Sequence, residues 1–283
     1  MAAAPGSAVQ VWSHRGRVGP APVETGRGGP APVRGGRGGP APVETGRVGG
    51  AARGEAARGE ADNTVAGISA AIASGADGVE FDTWLCTDGE FVCTHDRDSP
   101  AGPVDRCRSA DLPHLARLEE VLGVAGTATM NVELKVPPDA SPEEQSRLGE
   151  ALCAWLGRYI ASVGAAPAPD LVVSSFSASA TRPFLSAGLP LRLGHLCTEI
   201  PNADGLENLA RSGYWGVHFL ASGVAGGGGA GEVERIRAAG LAAVAWTVND
   251  PQQAARLAGH GAQVIISDVP VVISSSIRPS SRP

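Results

Sequence analysis

The chain has 283 residues, 43% of them apolar, which is enough for a sizeable core and ordinary for one large barrel. A formal net charge of −6, from 23 basic and 29 acidic residues, argues against a general nucleic-acid binder. No run approaches the ~18 continuous apolar residues of a membrane span, and five cysteines without a CxxC argue against a disulfide-stapled scaffold.

Met1 to Trp12 has neither a basic n-region nor an apolar h-region, so no secretory signal is expected. The odd cysteine count fits a reducing compartment, and a cytoplasmic location is expected. Ala8–His14 reads as a first strand that runs into Arg15-Gly16. Residues 17–61 then break the pattern. Gly-Pro-Ala-Pro-Val recurs at 19–23, 29–33 and 39–43, and Ala-Ala-Arg-Gly-Glu at 51–55 and 56–60. The only large apolar residues in this stretch are five valines, too few to offset the entropy of ordering it. It is expected to be a disordered, polyproline-like insertion with seven Arg against four Glu. Repeat expansion in a tolerated surface loop is the plainest account. A basic lid that attracts anions, or an insertion that disturbs Arg15, are the alternatives its position leaves open.

Asp62-Asn63-Thr64 follows, and Asp62 reads as the cap of a helix over Thr64–Ser74. Gly78–Trp84 is the second strand. An Asp88-Gly89 turn of two residues would set Cys86 opposite Phe91 and Cys93 opposite Trp84. The two thiols are then diagonal neighbours, poorly placed for a disulfide, and are expected to be buried and free. Further strands are expected at Met130–Lys135, Leu171–Phe176, Leu191–Leu196, Trp215–Phe219, Ala242–Thr247 and Gln263–Ser267. Helices are expected at Leu115–Leu122, Pro142–Val163, Ala178–Ala187, Ala203–Ser212, Gly231–Ala239 and Pro251–Ala258. Ser141 and Asp250 are placed to cap two of them. The four glycines 226–229 read as a flexible loop. An eightfold β/α alternation predicts one TIM (β/α)8 barrel over residues 1–283, with an open doubly wound sheet as the rival.

Chemistry in such a barrel sits at the C-terminal ends of the strands. There the chain places His14-Arg15-Gly16, Glu80 and Asp82, Glu133 and Lys135, and, after the turn, His95-Asp96. Spacing of i, i+2 puts each strand pair on one face, while Phe81 and Leu134 point the other way. Charges in otherwise apolar strands are costly without a partner. Three converging carboxylates need a cation to stay ionised, and oxygen ligands favour Mg²⁺ or Ca²⁺. Arg15 and Lys135 suit a phosphate, and His14 and His95 suit acid–base work near neutral pH. Together they point to metal-assisted phosphoester cleavage.

The motifs, in order, resemble those of the glycerophosphodiester phosphodiesterases. They are His14-Arg-Gly16, Asp62-Asn-Thr64, Gly75-Ala-Asp-Gly-Val-Glu-Phe-Asp82, Thr87-Asp-Gly89, His95-Asp96 and Asn131-Val-Glu-Leu-Lys135. Ser174-Ser-Phe176, Trp246-Thr-Val-Asn249 and Ile265-Ile-Ser-Asp268 extend the likeness to the later strands. The resemblance implies a TIM barrel that hydrolyses small glycerophosphodiesters to sn-glycerol 3-phosphate and an alcohol. It implies Glu80, Asp82 and Glu133 as ligands of a divalent cation, Mg²⁺ or Ca²⁺, and His14 and His95 as the acid–base pair. Arg15 and Lys135 would hold the phosphate. Trp246 either covers the glycerol carbons or plugs the barrel. Attack by the neighbouring glycerol hydroxyl, through a cyclic phosphate, and direct attack by water both remain open. Asp62 departs from the family's usual Glu, and the insertion replaces a short loop. A phospholipase-type specificity, a phosphate-binding barrel without activity and a zinc hydrolase are the rivals. No basic amphipathic helix supports the first, no site residue is missing as the second requires, and no HxH or HExxH supports the third. His195 and His218 lie near strand ends with no carboxylate cluster beside them. Oligomeric state is not encoded in any motif.

Overall fold

The computed structural model describes residues 8–19, 62–163, 170–223 and 230–278. The strands are β1 (Gln10–His14), β2 (Gly78–Leu85), β3 (Phe91–Cys93), β4 (Asp98–Ser99), β5 (Gly102–Pro103), β6 (Ala116–Arg117), β7 (Thr129–Leu134), β8 (Asp170–Ser175), β9 (Leu191–Cys197), β10 (Gly216–Leu220), β11 (Ala242–Trp246) and β12 (Val264–Ser267). The α-helices are α1 (Val65–Ala73), α2 (Leu118–Leu122), α3 (Pro142–Val163), α4 (Ala178–Thr181), α5 (Ala203–Ser212), α6 (Ala230–Ala238), α7 (Pro251–Gly259) and α8 (Pro270–Ile277). Eight strands run parallel in the order β1-β12-β11-β10-β9-β8-β7-β2, and β1 pairs with β2 to close the ring. This is the TIM barrel expected, and closure excludes the open sheet. Residues 20–61, most of the expected insertion, lie outside the described residues, as does Gly226–Gly229.

The alternation along each strand sorts the core into two shells. Val79, Phe81, Val132, Leu134, Val173, Val217 and Ile265 face outward and are buried with helix residues such as Ile68, Leu152 and Leu156. Trp12, Val172, Val244, Val264 and Ile266 fill the barrel interior, with Trp215 and Trp246 packed against them. Trp12 and Trp215 stack at 6.4 Å between ring centroids. Helix starts follow the local chemistry. Ser141 and Glu144 form a reciprocal cap, Ser141 N–H to Glu144 Oε2 at 2.8 Å and Glu144 N–H to Ser141 Oγ at 3.3 Å. Asp250 accepts from the Gln252 and Gln253 N–H groups, both at 3.1 Å.

Three expectations are corrected, and a fourth finding adds an element that none had covered. Cys86 N–H donates to Glu90 O at 2.8 Å, and Gly89 adopts φ +85°. Thr87-Asp88-Gly89 is therefore a three-residue loop with a left-handed last position, and the turn is not the two-residue one expected. The register becomes Thr83–Cys93, Trp84–Val92 and Leu85–Phe91. A one-residue slip swaps faces. Cys86 packs with Trp84 and Val92, and Cys93 with Phe91, so the two thiols are on opposite faces and are not diagonal neighbours. All five cysteines are unpaired, as expected. Second, the cap of α1 is Thr64, whose Oγ1 accepts from Gly67 N–H at 3.0 Å. Asp62 instead meets arginines. Third, the helices expected over Leu115–Leu122 and Ala178–Ala187 are shorter. Ala116–Arg117 pairs with β3, and Arg182–Ser186 tightens into a 3₁₀ turn with Pro183 in its first turn. Fourth, the apolar stretch after Asp268 forms α8, which no periodicity had marked.

Candidate active site at the strand ends

β1 delivers His14 to the mouth of the barrel, and the backbone then turns sharply. Arg15 and Asn63 hold left-handed φ values of 57° and 58°, unusual for residues with a side chain. Hydrogen bonds secure both. Arg15 N–H donates to Glu80 O at 2.7 Å, and Asn63 N–H donates to Arg15 O at 2.9 Å. Gly16 also has positive φ, and a Cβ there would stand 2.7 Å from Ile68 N on α1. The His-Arg-Gly motif is thus partly a demand of packing.

β2 and β7 lie side by side with Glu80 opposite Asn131 and Asp82 opposite Glu133. All four side chains point inward and are buried. Lys135 Nζ lies 2.8 Å from Asp82 and 2.5 Å from Glu133, and Arg15 Nε is 3.3 Å from Asp82. Asn63 locks Asp82 from the side. Its Nδ2 donates to Asp82 Oδ2 at 3.0 Å and its Oδ1 accepts from Asp82 N–H at 2.9 Å. Burial raises the Asp82 carboxyl, but Lys135 and Arg15 outweigh it and hold the group below its usual range. At Glu80 the pull of Arg15 and Lys135 is outweighed. Burial, then repulsion from Asp82 and Glu133, pushes it well above the usual carboxylate range. Burial and Asp82 push Glu133 up to about 7, against the pull of Lys135.

His14, Arg15, Glu80, His95, Glu133, Lys135 and Trp246 line one cavity of about 160 Å³, with Asn131, Phe176, Leu196 and Ile266 completing it. Asp82 stands behind them, in contact with Arg15 and Lys135. His95 comes in from the β2–β3 hairpin, half exposed, with Nδ1 donating to Asp96 at 2.8 Å. Trp246 belongs to both the barrel interior and the cavity wall. It packs on the interior cluster and lines the cavity, with Phe176 edge-on at 5.8 Å. His218 is fully buried within the barrel, edge-on to Trp12, and His195 sits beside Tyr214. Neither lines the cavity.

Asp268 and Asn249, noted in the sequence only as late motifs, prove central. His14 Nδ1 donates to Asp268 Oδ1 at 2.7 Å, and Asn249 Nδ2 donates to Asp268 Oδ2 at 2.7 Å. Asn249 Oδ1 accepts from Asp268 N–H at 2.9 Å and from Ser267 Oγ at 3.0 Å. Burial raises Asp268, but bonds to His14 and Asn249 win and keep it below its ordinary range. An ionised carboxylate only accepts, so His14 carries its proton on Nδ1 and presents Nε2 as a lone pair. Burial lowers the His14 imidazole below its usual value, which keeps it neutral. Arg17 and Asp62 lie behind this pair. Their partners are remote in sequence, and no local pattern marks them.

A family model described as the glycerophosphoryl diester phosphodiesterase family matches residues 50–272. The chain belongs to that family. It is a phosphoric diester hydrolase by that membership, and β1 with His14 lies ahead of the matched span. The chain has no match among curated proteins. Solved structures share the fold. A phosphodiesterase from Oleispira antarctica in complex with the product sn-glycerol-3-phosphate is 22% identical, with 95% of this chain and 96% of that one aligned at a TM-score of 0.66. A glycerophosphoryl diester phosphodiesterase from Silicibacter pomeroyi is 19% identical over 98% and 95% at 0.70. One from Thermotoga maritima is 20% identical over 96% and 100% at 0.63. At these identities the likeness is one of fold.

The acidic group fits a divalent cation. Oxygens of Glu80, Asp82 and Glu133 lie within 4.8 Å of one another, and Glu80 Oε2 is buried with no hydrogen-bond partner. A donor set made only of oxygen suits a hard ion. No helix among the described residues is long and apolar enough to cross a membrane.

Proposed function

We propose that the protein hydrolyses small glycerophosphodiesters to sn-glycerol 3-phosphate and an alcohol in a cation-dependent reaction. The observation that carries this reading is the one cavity into which two imidazoles, two cationic side chains and two of the three clustered carboxylates, Glu80 and Glu133, open, with Asp82 directly behind. Glu80, Asp82 and Glu133 would hold Mg²⁺ or Ca²⁺, which supplies positive charge to a phosphoryl oxygen and so favours attack at phosphorus. Lys135 and Arg15 stand ready for the phosphate, the two sharing Asp82 as a partner in the resting site and so keeping positive charge between them. His14, with Nε2 free, takes the proton of the attacking oxygen, and His95 delivers a proton to the departing alcohol. With water as nucleophile these two transfers complete the reaction; with the glycerol hydroxyl they give a cyclic phosphate and the free alcohol, and water then opens the ring with the acid and base roles exchanged. Trp246 and Phe176 offer an apolar wall for the glycerol carbons. The cavity is smaller than the ~300–1,000 Å³ typical of drug-sized sites, which favours a glycerol phosphate moiety over an acylated one. Five unpaired thiols fit the cytoplasm.

Turnover of glycerophosphocholine, glycerophosphoethanolamine and glycerophosphoglycerol, with His14→Ala and His95→Ala beside the wild type, tests this reading. Each variant should lose about 10²–10⁴-fold in kcat. Wild-type rates in either variant would remove that histidine from the mechanism.

A further inference from the structure

Arg17 spans two carboxylates with one guanidinium. Nε donates to Asp62 Oδ1 at 2.7 Å, Nη2 pairs with Asp62 Oδ2, and Nη1 donates to Asp268 Oδ1 at 2.9 Å. That Asp268 oxygen is the one that accepts from His14. Asp62 is 45 positions from Arg17 and Asp268 is 251, so the guanidinium ties together three distant parts of the chain. The Arg17 backbone is also fixed, with its N–H donating to His14 O at 3.1 Å and its O accepting from Ser13 Oγ at 2.7 Å. Exposed ion pairs contribute little. This one is different in two respects. Its carboxylate side chains are only 11% and 14% exposed, and its contact with Asp62 is a two-point fork. Asn249 secures one edge of Asp268, and without Arg17 the other edge would hold only the imidazole.

We propose that Arg17 is a positioning residue: it fixes Asp268 against His14 and, by clasping Asp62, ties that support to the turn whose Asn63 holds Asp82 on β2. This rests on the reading of His14 as an acid–base group. Lysine has one compact ammonium and cannot reproduce the two-point fork on Asp62 together with the bond to Asp268, so it replaces Arg17 only in part.

The test is a double-mutant cycle with glycerophosphocholine and saturating Mg²⁺, using Arg17→Met, Asp268→Asn and their combination, with Arg17→Lys alongside. Arg17→Met should lower kcat by about 10- to 100-fold while KM stays within about threefold. The same change should add no further loss on the Asp268→Asn background, because Arg17 acts through Asp268. Should Arg17→Met fail to fold, Arg17→Lys is read in its place, with a smaller loss in the same cycle. Unchanged kcat, or full additivity with Asp268→Asn, would overturn the proposal. A wild type inactive on every diester would instead sink the functional reading. The exchange of the His14 Nδ1 proton with water, followed by ¹⁵N NMR, then decides alone. Exchange at least about tenfold faster in Arg17→Met supports the proposal, and equal protection refutes it.

Discussion

What stands behind His14 suits it to the base role proposed for it. Asp268 fixes the tautomer, Asn249 fixes Asp268, and burial keeps the ring neutral. Asp268→Asn removes the charge that favours the imidazolium formed during reaction, so kcat should fall by about 10²-fold with little change in KM. A variant as fast as wild type in steady-state kinetics would detach Asp268 from His14's role. Glu80 and Glu133 pose the opposite problem, since both are raised and gain protons readily in the cation-free protein. A raised folded-state value contributes stability below the ordinary carboxylate range and loses it as pH climbs through the folded value, about 7 for Glu133. Cation binding requires the ionised forms and relieves that loss. His218, held at about 3 by burial, opposes the trend as pH rises, but it does so equally with and without cation. The Tm increase caused by Mg²⁺ or Ca²⁺ should therefore be larger at pH 8 than at pH 5. An increase independent of pH would contradict this.

At the scale of elements, legibility followed the range of the interaction. The alternation in β2 and β7 was enough to put Glu80, Asp82, Glu133 and Lys135 on one face, since side-chain direction in a strand is set by its neighbours along the chain. The Ser141 and Asp250 caps were equally local. The β2–β3 register was misjudged because an Asp-Gly pair fits both two- and three-residue loops, and the choice depends on pairing by Cys86 and Glu90 outside it. Asp62 was read as a cap because Arg17, its real partner, is remote in sequence. The turn after β1 is the element most exposed to single changes. Gly16→Ala adds a Cβ against α1 backbone at a left-handed position, and urea unfolding should show a loss of about 1–3 kcal/mol. Stability equal to wild type would mean that the turn has room to shift.

The whole molecule separates support from chemistry. The outer shell and the interior stack of Trp12 and Trp215 hold the barrel, while the charged ring sits above them at the strand ends. Trp12 is fully buried and does not line the cavity. Trp12→Ala should cost about 3–5 kcal/mol in urea unfolding. Closure depends on β1, which pairs on both edges and carries His14, so the closed barrel and the proposed base share one strand. The most direct measurement follows glycerophosphocholine by ³¹P NMR with metal-stripped protein, before and after Mg²⁺ or Ca²⁺ is added. The account predicts an sn-glycerol 3-phosphate resonance only after a hard cation is supplied. Equal product without any cation, or none with either, would contradict it.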